Sequence, residues 1–204
     1  MLFEDTYKTI KKPATSLFKD KGSKFFGYAY PAKSEAYVKK VLAVIQNEHP
    51  KASHHCYSYR LGADGLAYRI NDDGEPANTA GRPIYNQLLS SELTNIIIIV
   101  VRYFGGTLLG VSGLINAYKT TALLAIENAS IVEKTVQEVY FIHFEYPQMQ
   151  DVMSASKTLD LNVVDQKFEI DCILTVSVRK SKANQLFDVF GKMKNVKIKL
   201  KEVI

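Results

Sequence analysis

Cysteine and long apolar runs are scarce in this chain. Only Cys56 and Cys172 occur among the 204 residues. They lie in different predicted domains, so we expect two reduced thiols rather than a structural disulfide. The longest apolar run, from Ile96 to Val101, is about a third of the length that a membrane span requires. The N-terminus has acidic residues before its lysines and no hydrophobic signal core. These absences predict a cytoplasmic protein that does not enter a membrane.

Sequence signatures of the common cofactors are also missing. The glycine-rich stretch from Gly105 to Gly110 precedes a helical pattern, but it does not end in the Gly-Lys-Ser/Thr of a Walker loop, and no Gly-x-Gly-x-x-Gly occurs. No Cys-x-x-Cys or His-x-x-x-His supplies a zinc set. The acidic turn from Asp72 to Glu75 lacks the spacing of an EF-hand. We therefore expect no cofactor and assign no metal ligand.

The charge is modest in total but unevenly distributed. The sum of 26 Lys and Arg against 21 Asp and Glu is a net charge of +5, and lysines are concentrated in residues 8–40 and near the C-terminus. Such clusters bind phosphate backbones, and they also occur on ordinary solvated surfaces. The candidates for nucleic-acid contact are Lys192, Lys194, Lys197 and Lys199.

The apolar pattern of residues 1–132 predicts a first domain of the α+β class. The run from Asn95 to Tyr103 consists mainly of β-branched residues and predicts a strand buried on both faces. Ser34 stands where it would cap a helix that ends near Glu48. Further strands are predicted at residues 25–30, 54–61 and 66–70, and further helices at residues 83–89 and 112–128.

Residues 133–204 form the second predicted domain, with the order βαββαβ of a ferredoxin-like unit. Strands are predicted at residues 136–146, 161–168 and 170–178. Pro147 stands at the start of one helix and Ser181 caps another, which Gly191 ends. In the last strand Val196, Ile198 and Leu200 alternate with lysines. Those lysines either prevent edge-to-edge pairing of the strand or bind RNA.

Carboxylates, arginines and glycines are concentrated around the predicted buried strand, which indicates a site. The glycine corner after that strand is either an anion site at a helix start or a tight packing turn. Asp72, Asp73 and Glu75 are candidates for binding a cation, for turn formation, or for internal pairing with Arg82 and Arg102. The last of these is our structural expectation.

His54 and Cys56 lie two residues apart on a predicted strand, so their side chains share one face. They could form a thiol-imidazole pair or part of a metal cluster. A nucleophilic cysteine needs a base within hydrogen-bond reach, and a histidine on the same strand is awkwardly placed for proton transfer. We therefore expect a buried Cys56 and a hydrogen-bonded His54.

Several of these segments together resemble the YigZ/IMPACT family. The matching residues appear in the family's order over roughly residues 21–127, and the tail from Val136 is similar to the small C-terminal domain of bacterial members. The carrying segments are Ser23-Lys24-Phe25, Ala52-Ser53-His54-His55-Cys56, Asp72-Asp73-Gly74-Glu75-Pro76, Thr79-Ala80-Gly81-Arg82-Pro83, Arg102-Tyr103-Phe104-Gly105-Gly106, Leu109-Gly110, Gly113-Leu114 and Ala117-Tyr118.

The resemblance implies a first domain similar to one in a ribosomal protein and in elongation factor G. It also implies a role linked to translation, which the eukaryotic relatives regulate under amino-acid starvation. Those relatives carry an additional N-terminal module that this chain is not expected to have, so their regulatory partner is not expected here. The family usually has an arginine where this chain has Asn116, which removes a cation from the glycine-flanked pocket.

Two functions remain open from the sequence. The first is a translation-associated regulatory protein that contacts RNA or the ribosome. The second is an enzyme that acts on a small anionic or phosphorylated ligand. We expect the strand of His54, the acidic turn and the double-glycine corner to converge on one mouth. The ligand or anion-binding candidates are Lys24, His54, Cys56, Asp72, Asp73, Glu75, Arg82, Arg102, Gly105 and Gly106.

Overall fold

A computed structural model describes residues 5–169 and 171–203 of the chain. The α+β class is confirmed, and the chain divides into two compact units. One unit spans Tyr7–Lys134, and the other contains Asp5 and Thr6 together with the described residues from Thr135 onward. Within the part of the chain that the structure describes, no helix has the length and apolar character to cross a lipid bilayer.

The first unit is built on a five-stranded antiparallel sheet with the strand order β2-β3-β6-β4-β5. Two further strands, β1 and β7, pair in a separate small sheet. The strands are β1 (Thr6–Ile10), β2 (Ala14–Asp20), β3 (Ser23–Pro31), β4 (His54–Leu61), β5 (Ala67–Asn71), β6 (Ile96–Tyr103) and β7 (Ile131–Thr135), and the helices are α1 (Glu35–Glu48), α2 (Gly81–Ser90) and α3 (Gly110–Glu127).

Strand β6 is the centre of this unit, and it is buried on both faces as its β-branched sequence predicts. Ile96, Ile98 and Val100 pack with α2 and α3, whereas Ile97, Ile99 and Val101 pack with α1 on the opposite face. Burying each of these side chains contributes roughly 1.5–3 kcal/mol. This strand and its neighbours form a rigid support at whose end the acidic turn and the glycine corner lie.

Local signals explain where several elements begin. The Ser34 hydroxyl accepts a hydrogen bond from the Tyr37 amide at 3.3 Å, so Ser34 caps α1 as predicted. Helices α2 and α3 begin at Gly81 and Gly110, two residues earlier than the pattern predicts, because apolar periodicity does not register the glycines that open them. Strands β1, β2 and β7 have no counterpart among the predicted elements. Their threonines and lysines interrupt the apolar alternation, although β1 is mostly buried and β2 and β7 are half-buried or exposed.

The second unit is a four-stranded antiparallel sheet with the order β11-β8-β10-β9, which confirms the ferredoxin-like arrangement. Two helices cover the face that carries the apolar core. The predicted start of a strand at Ile170 lies outside the described residues. The elements are β8 (Gln137–Glu145), α4 (Met149–Thr158), β9 (Asn162–Phe168), β10 (Asp171–Arg179), α5 (Ala183–Phe190) and β11 (Lys197–Val203).

The predicted cap of the last helix is wrong. A short 3₁₀ turn over Lys180–Lys182 precedes α5, and no side chain caps the helix. The Ser181 amide instead donates to the Asp5 carboxylate at 3.3 Å. A serine directly before a helical pattern predicts a cap. Here the amide of that serine binds the carboxylate of Asp5, which is distant in the sequence, so the predicted cap does not form.

Asp5 and Arg179 form a bidentate ion pair within the second unit, and it predicts acid sensitivity. The guanidinium Nε and Nη2 donate to the two carboxylate oxygens at 2.6 and 2.7 Å. Hydrogen bonds from Arg179 and then Ser181 hold the pKa of Asp5 well below its ordinary value of 3.8. As the pH falls below 3.8, the unfolded chain binds a proton that the folded chain does not, so stability decreases.

We therefore expect Asp5→Asn to flatten the decrease in urea stability between pH 5 and the acid limit, because the titrating carboxyl is gone. Exposed Asp188 in α5 offers a matched loss of one carboxylate, and Asp188→Asn should keep the wild-type pH slope. Equal slopes in the wild type and in Asp5→Asn would contradict this account.

Candidate functional site

Three segments of the first unit meet at one cleft, as expected. Its volume is about 520 Å³. Strand β4 and the residue before it supply one wall, the acidic turn supplies a second, and the end of β6 with the start of α3 supplies the third. The lining residues are Ser53, His54, Glu75, Pro76, Arg102, Phe104, Leu108, Leu109, Gly110, Val111 and Leu114.

The floor of the cleft is a buried ion pair with a tyrosine. Arg102 Nη1 and the Tyr118 hydroxyl both donate to Glu75 Oε1, each at 2.7 Å. The Arg102 guanidinium also lies 5.5 Å from the ring of Phe25 and 5.6 Å from that of Phe104. Internal pairing of an acid with an arginine is thus present, but the acid is Glu75 and the charge of Arg102 is largely neutralised.

Asp72 holds the acidic turn in shape and does not pair with an arginine. Its Oδ1 accepts from the Ala80 and Gly81 amides at 3.0 and 2.8 Å, and its Oδ2 accepts from the Asn78 amide at 2.9 Å. These three bonds fix the turn against the start of α2. Asp72 is therefore committed to the backbone.

His54 has a defined tautomer because of the neighbouring turn. Its Nδ1 lies 2.7 Å from the Asp73 carbonyl oxygen, which can only accept, so Nδ1 carries the proton. In the neutral ring Nε2 is then unprotonated, and it lies 3.9 Å from Glu75 Oε1. The Asp73 carboxylate accepts from the His55 amide at 2.6 Å. Burial lowers the pKa of His55.

Cys56 is enclosed and unreactive in this arrangement. Its Sγ donates to the Asp72 carbonyl at 3.0 Å and lies 3.3 Å from the Tyr118 hydroxyl. Burial raises the pKa of the Cys56 thiol and that of the Tyr118 hydroxyl. A thiol held in this way is not a nucleophile, so the geometry favours the expected buried cysteine over a thiol-imidazole pair.

The double-glycine corner is a close packing turn beside the cleft. A Cβ on Gly105 would lie 1.9 Å from the carbonyl carbon of Gly22, so only glycine fits there, and its amide donates to Ser23 Oγ at 3.1 Å. Gly106 has a φ of +86°. Lys24 is exposed on β3, opposite Tyr103, and it is absent from the cleft lining.

Arg82 lies away from the cleft. It lines a separate groove of about 580 Å³ together with Lys119 and Ile115, and its guanidinium is 6.0 Å from the ring of Tyr85. The structure therefore does not bring Arg82 and Arg102 to a single ligand. The position of Arg82 on helix α2 places its side chain in this separate groove. The short distance in sequence between Arg82 and the acidic turn does not show that placement.

The C-terminal lysines belong to the second unit. Lys192 and Lys194 are exposed in the loop between α5 and β11. Lys197 and Lys199 lie on β11, opposite His143 and Phe141 of β8. Strand β11 is at the edge of its sheet, which is the position that edge protection requires.

Tyr118, below the cleft, and most of its apolar lining, including Leu108, were not among the candidates from the sequence. The sequence analysis names Tyr118 only as part of a segment that carries the family resemblance, yet its hydroxyl reaches Glu75. Leu108 is 83% exposed at the mouth, and a leucine in a glycine-rich loop carries no functional signal in the sequence. Across residues 5–169 and 171–203, no group of three or more His, Cys, Asp or Glu side chains is arranged to bind a metal ion.

Comparison with known proteins relates both units to one family. The model of the Impact N-terminal domain matches residues 21–126. An IMPACT family member of Haemophilus influenzae is 35% identical, over 78% of each chain. The IMPACT family member YigZ of Escherichia coli is 31% identical, over 83% of this chain and 84% of that protein.

A solved structure extends this likeness to the whole chain. A crystal structure of a hypothetical protein has a TM-score of 0.76 at 28% identity and covers 98% of this chain and 99% of its own. The motifs around the cleft, the matching domain model and the two relatives agree. The chain therefore belongs to the IMPACT family.

Proposed function

We propose that this chain is a cytoplasmic, translation-associated regulatory protein that contacts RNA, alone or within the ribosome, through the outer face of its C-terminal sheet. The family resemblance supports the link to translation. The observation that carries the RNA contact is the alignment of lysines and aromatic rings across one sheet face.

The strand register builds that face. Lys197 of β11 is opposite His143 of β8, which is opposite Ile173 of β10, and Ile173 is opposite Lys167 of β9. In the next row on this face, Lys199 is opposite Phe141. The alternate residues Ile142 and Ile198 point into the core. A cation thus lies at both ends of a row whose centre is aromatic and apolar.

The rings on this face are placed for stacking. Phe141 and His143 are half-buried, with ring centroids 6.0 Å apart, and Lys201 Nζ lies 5.5 Å from the Phe141 ring. A concave surface of about 800 Å³ is lined by His143, Ile173, Lys197 and Lys199, and also by the carboxylates of Glu145 and Asp171. Single-stranded RNA is bound by such combinations of aromatic platforms and lysines on four-stranded sheets.

The competing explanation is that the lysines protect the edge strand. An exposed edge pairs with other chains unless charge prevents it. The two explanations differ in what the aromatic rings contribute. Edge protection needs only the lysines, whereas RNA binding also needs the π faces of Phe141 and His143.

We expect Phe141→Leu to weaken binding of a single-stranded RNA oligonucleotide by about 5-fold to 150-fold, because stacking contributes ~1–3 kcal/mol per base. The Lys197→Gln/Lys199→Gln variant should weaken it further and reduce the dependence on salt concentration. The matched control is Lys39→Gln/Lys40→Gln, which removes the same charge from exposed positions of α1. Filter binding at several salt concentrations, with sedimentation against ribosomal particles, measures these effects.

Binding at background in low salt would contradict the RNA contact. Equal weakening by the α1 control would contradict the sheet face as its location. If the β11 variant self-associates while RNA binding is unchanged, the lysines protect the edge and the proposal is wrong.

The alternative function, an enzyme that acts on a small anionic or phosphorylated ligand, is supported only in part. The cleft brings together His54, Glu75 and Arg102, but Arg82 is elsewhere and Asp72 is committed to backbone amides. One neutralised arginine is a weak basis for holding a phosphate dianion. These observations support a ligand site more than a reaction.

A further inference from the structure

We propose that the cleft above His54, Glu75 and Arg102 binds a small carboxylic acid with an apolar body, and that binding takes up a proton on His54. This site is independent of the RNA contact, since it lies in the other unit of the chain. The proposal rests on the donors around the cleft, the apolar mouth and the charge balance of the floor.

The mouth of the cleft is apolar and open. Leu108, Val111 and Phe104 are 83%, 60% and 50% exposed, although apolar side chains of this size usually pack against something when they cluster. Behind them Leu109 and Leu114 are buried. A cleft of about 520 Å³ with apolar walls and a few polar groups at its base is of the kind that encloses a small molecule.

Hydrogen-bond donors converge on this cleft. Helix α3 begins there at Gly110, and no side chain caps it, so its first amides lack helical acceptors and carry the positive end of the helix dipole. A Cβ on Gly110 would meet nothing within 4 Å, so a ligand can approach the backbone closely. The Ser53 hydroxyl, which also lines the cleft, is a further donor.

The buried arginine is a second and independent observation that points to an anion. Arg102 is only 5% exposed and lines the cleft. Its Nη1 donates to Glu75, but its buried Nε has no hydrogen-bond partner among the described residues. A guanidinium with an unbonded Nε, next to a helix start that no side chain caps, can donate to a ligand that accepts hydrogen bonds, such as a carboxylate.

His54 supplies the charge that makes a carboxylate fit. The groups that face its ring are the Asp73 carbonyl, the Glu75 carboxylate and the Arg102 guanidinium, with His55 adjacent on β4. When the ring is neutral, Glu75 and Arg102 cancel each other. A bound carboxylate would then lie beside Glu75 without a counter-ion, so it favours protonation of Nε2 between the two carboxylates.

The same charge balance selects against other ligands. A proton on His54 adds one positive charge, which balances one carboxylate but not a phosphate dianion. A neutral amide gains nothing from that proton. The ligand class that matches donors, apolar walls and charge together is therefore a monocarboxylate with an aromatic or branched aliphatic body.

The test is calorimetric titration of the full chain with benzoate and 4-methylpentanoate, with benzamide and inorganic phosphate as comparison ligands. We expect millimolar binding of the acids, as their small size allows, and at least about tenfold weaker binding of the comparison ligands. Titrations at pH 8 in HEPES and in Tris should show uptake of about one proton per bound acid.

Two variants and one spectroscopic measurement locate the site. His54→Gln should abolish the proton uptake, and Leu108→Asp, at an exposed position that does not support the fold, should weaken the acids about tenfold or more. Leu66→Asp is the matched control, because Leu66 is 76% exposed and outside the cleft. The ¹⁵N resonance of His54 Nε2 should move to the protonated position when benzoate binds.

Four results would overturn the proposal. They are no saturable binding of either acid at about 20 mM, equal affinity for benzamide and benzoate, acid binding without proton uptake or a ¹⁵N change, and acid binding unaffected by Leu108→Asp. None of these depends on RNA. Loss of the RNA contact and loss of the carboxylate site are therefore separate outcomes.

Discussion

Glu75→Gln is expected to lower the free energy of unfolding of the first unit by about 3–5 kcal/mol, the cost of leaving one partner of a buried ion pair uncompensated. The change preserves the shape of the side chain but removes its charge. Arg102 would then be a buried cation without an anion, and Tyr118 would donate to a weaker acceptor. Urea unfolding followed by far-UV circular dichroism measures the effect.

A matched control exists on the surface of the same unit. Glu92 pairs with Lys8 at 2.6 Å, but its side chain is 73% exposed, so Glu92→Gln should leave stability nearly unchanged. The double variant Glu75→Leu/Arg102→Met removes both buried charges and should recover much of the loss. If the single and double variants are equally unstable, the ion pair is not the source of the effect.

Gly105→Ala is expected to destabilise the first unit by about 1–3 kcal/mol, because the new methyl group overpacks a closed backbone contact. Its Cβ would lie 1.9 Å from the Gly22 carbonyl carbon and 2.2 Å from the Ser23 nitrogen. These are backbone atoms, which cannot rotate away as a side chain would. The turn must therefore open, which also moves the neighbouring Phe104 ring from the Arg102 guanidinium.

The matched control for this change is Gly113→Ala on α3. Its Cβ would lie 3.0 Å from the Leu109 Cβ, and alanine favours the helix by roughly 1 kcal/mol, so the net change should be small. Unfolding in urea and the amide spectra of residues near the cleft compare the two variants. Wild-type stability of Gly105→Ala would show that the close approach of the two loops is not required.

Strong local patterns allowed much of the architecture to be predicted. The β-branched run of β6, the Ser34 cap of α1 and the βαββαβ order of the second unit depend on residues close together in sequence. Weakly alternating strands were missed, and the cap at Ser181 was predicted wrongly because Asp5, distant in sequence, binds that backbone. Local signals fail where a long-range partner competes.

The composition of the cleft was partly predictable. The glycine corner, the acidic turn and His54 were predicted to form a site, because polar and conformationally permissive residues beside a buried strand are unusual. However, the three carboxylates of the acidic turn look equivalent in the sequence. In the structure Asp72 accepts from amides at the start of α2, Asp73 accepts from the His55 amide, and Glu75 binds Arg102. Their different environments arise from the path of the turn.

The sequence by itself determined the α+β class, the order of elements in the second unit and the family, because these depend on apolar periodicity and on motifs that can be read along the chain. Only the tertiary structure decided that Tyr118 reaches Glu75, that Arg82 faces another groove and that the lysines of β11 lie beside Phe141 and His143. The physical reason is that strand register and helix packing set side-chain distances, and both are properties of long-range contacts that no local pattern encodes.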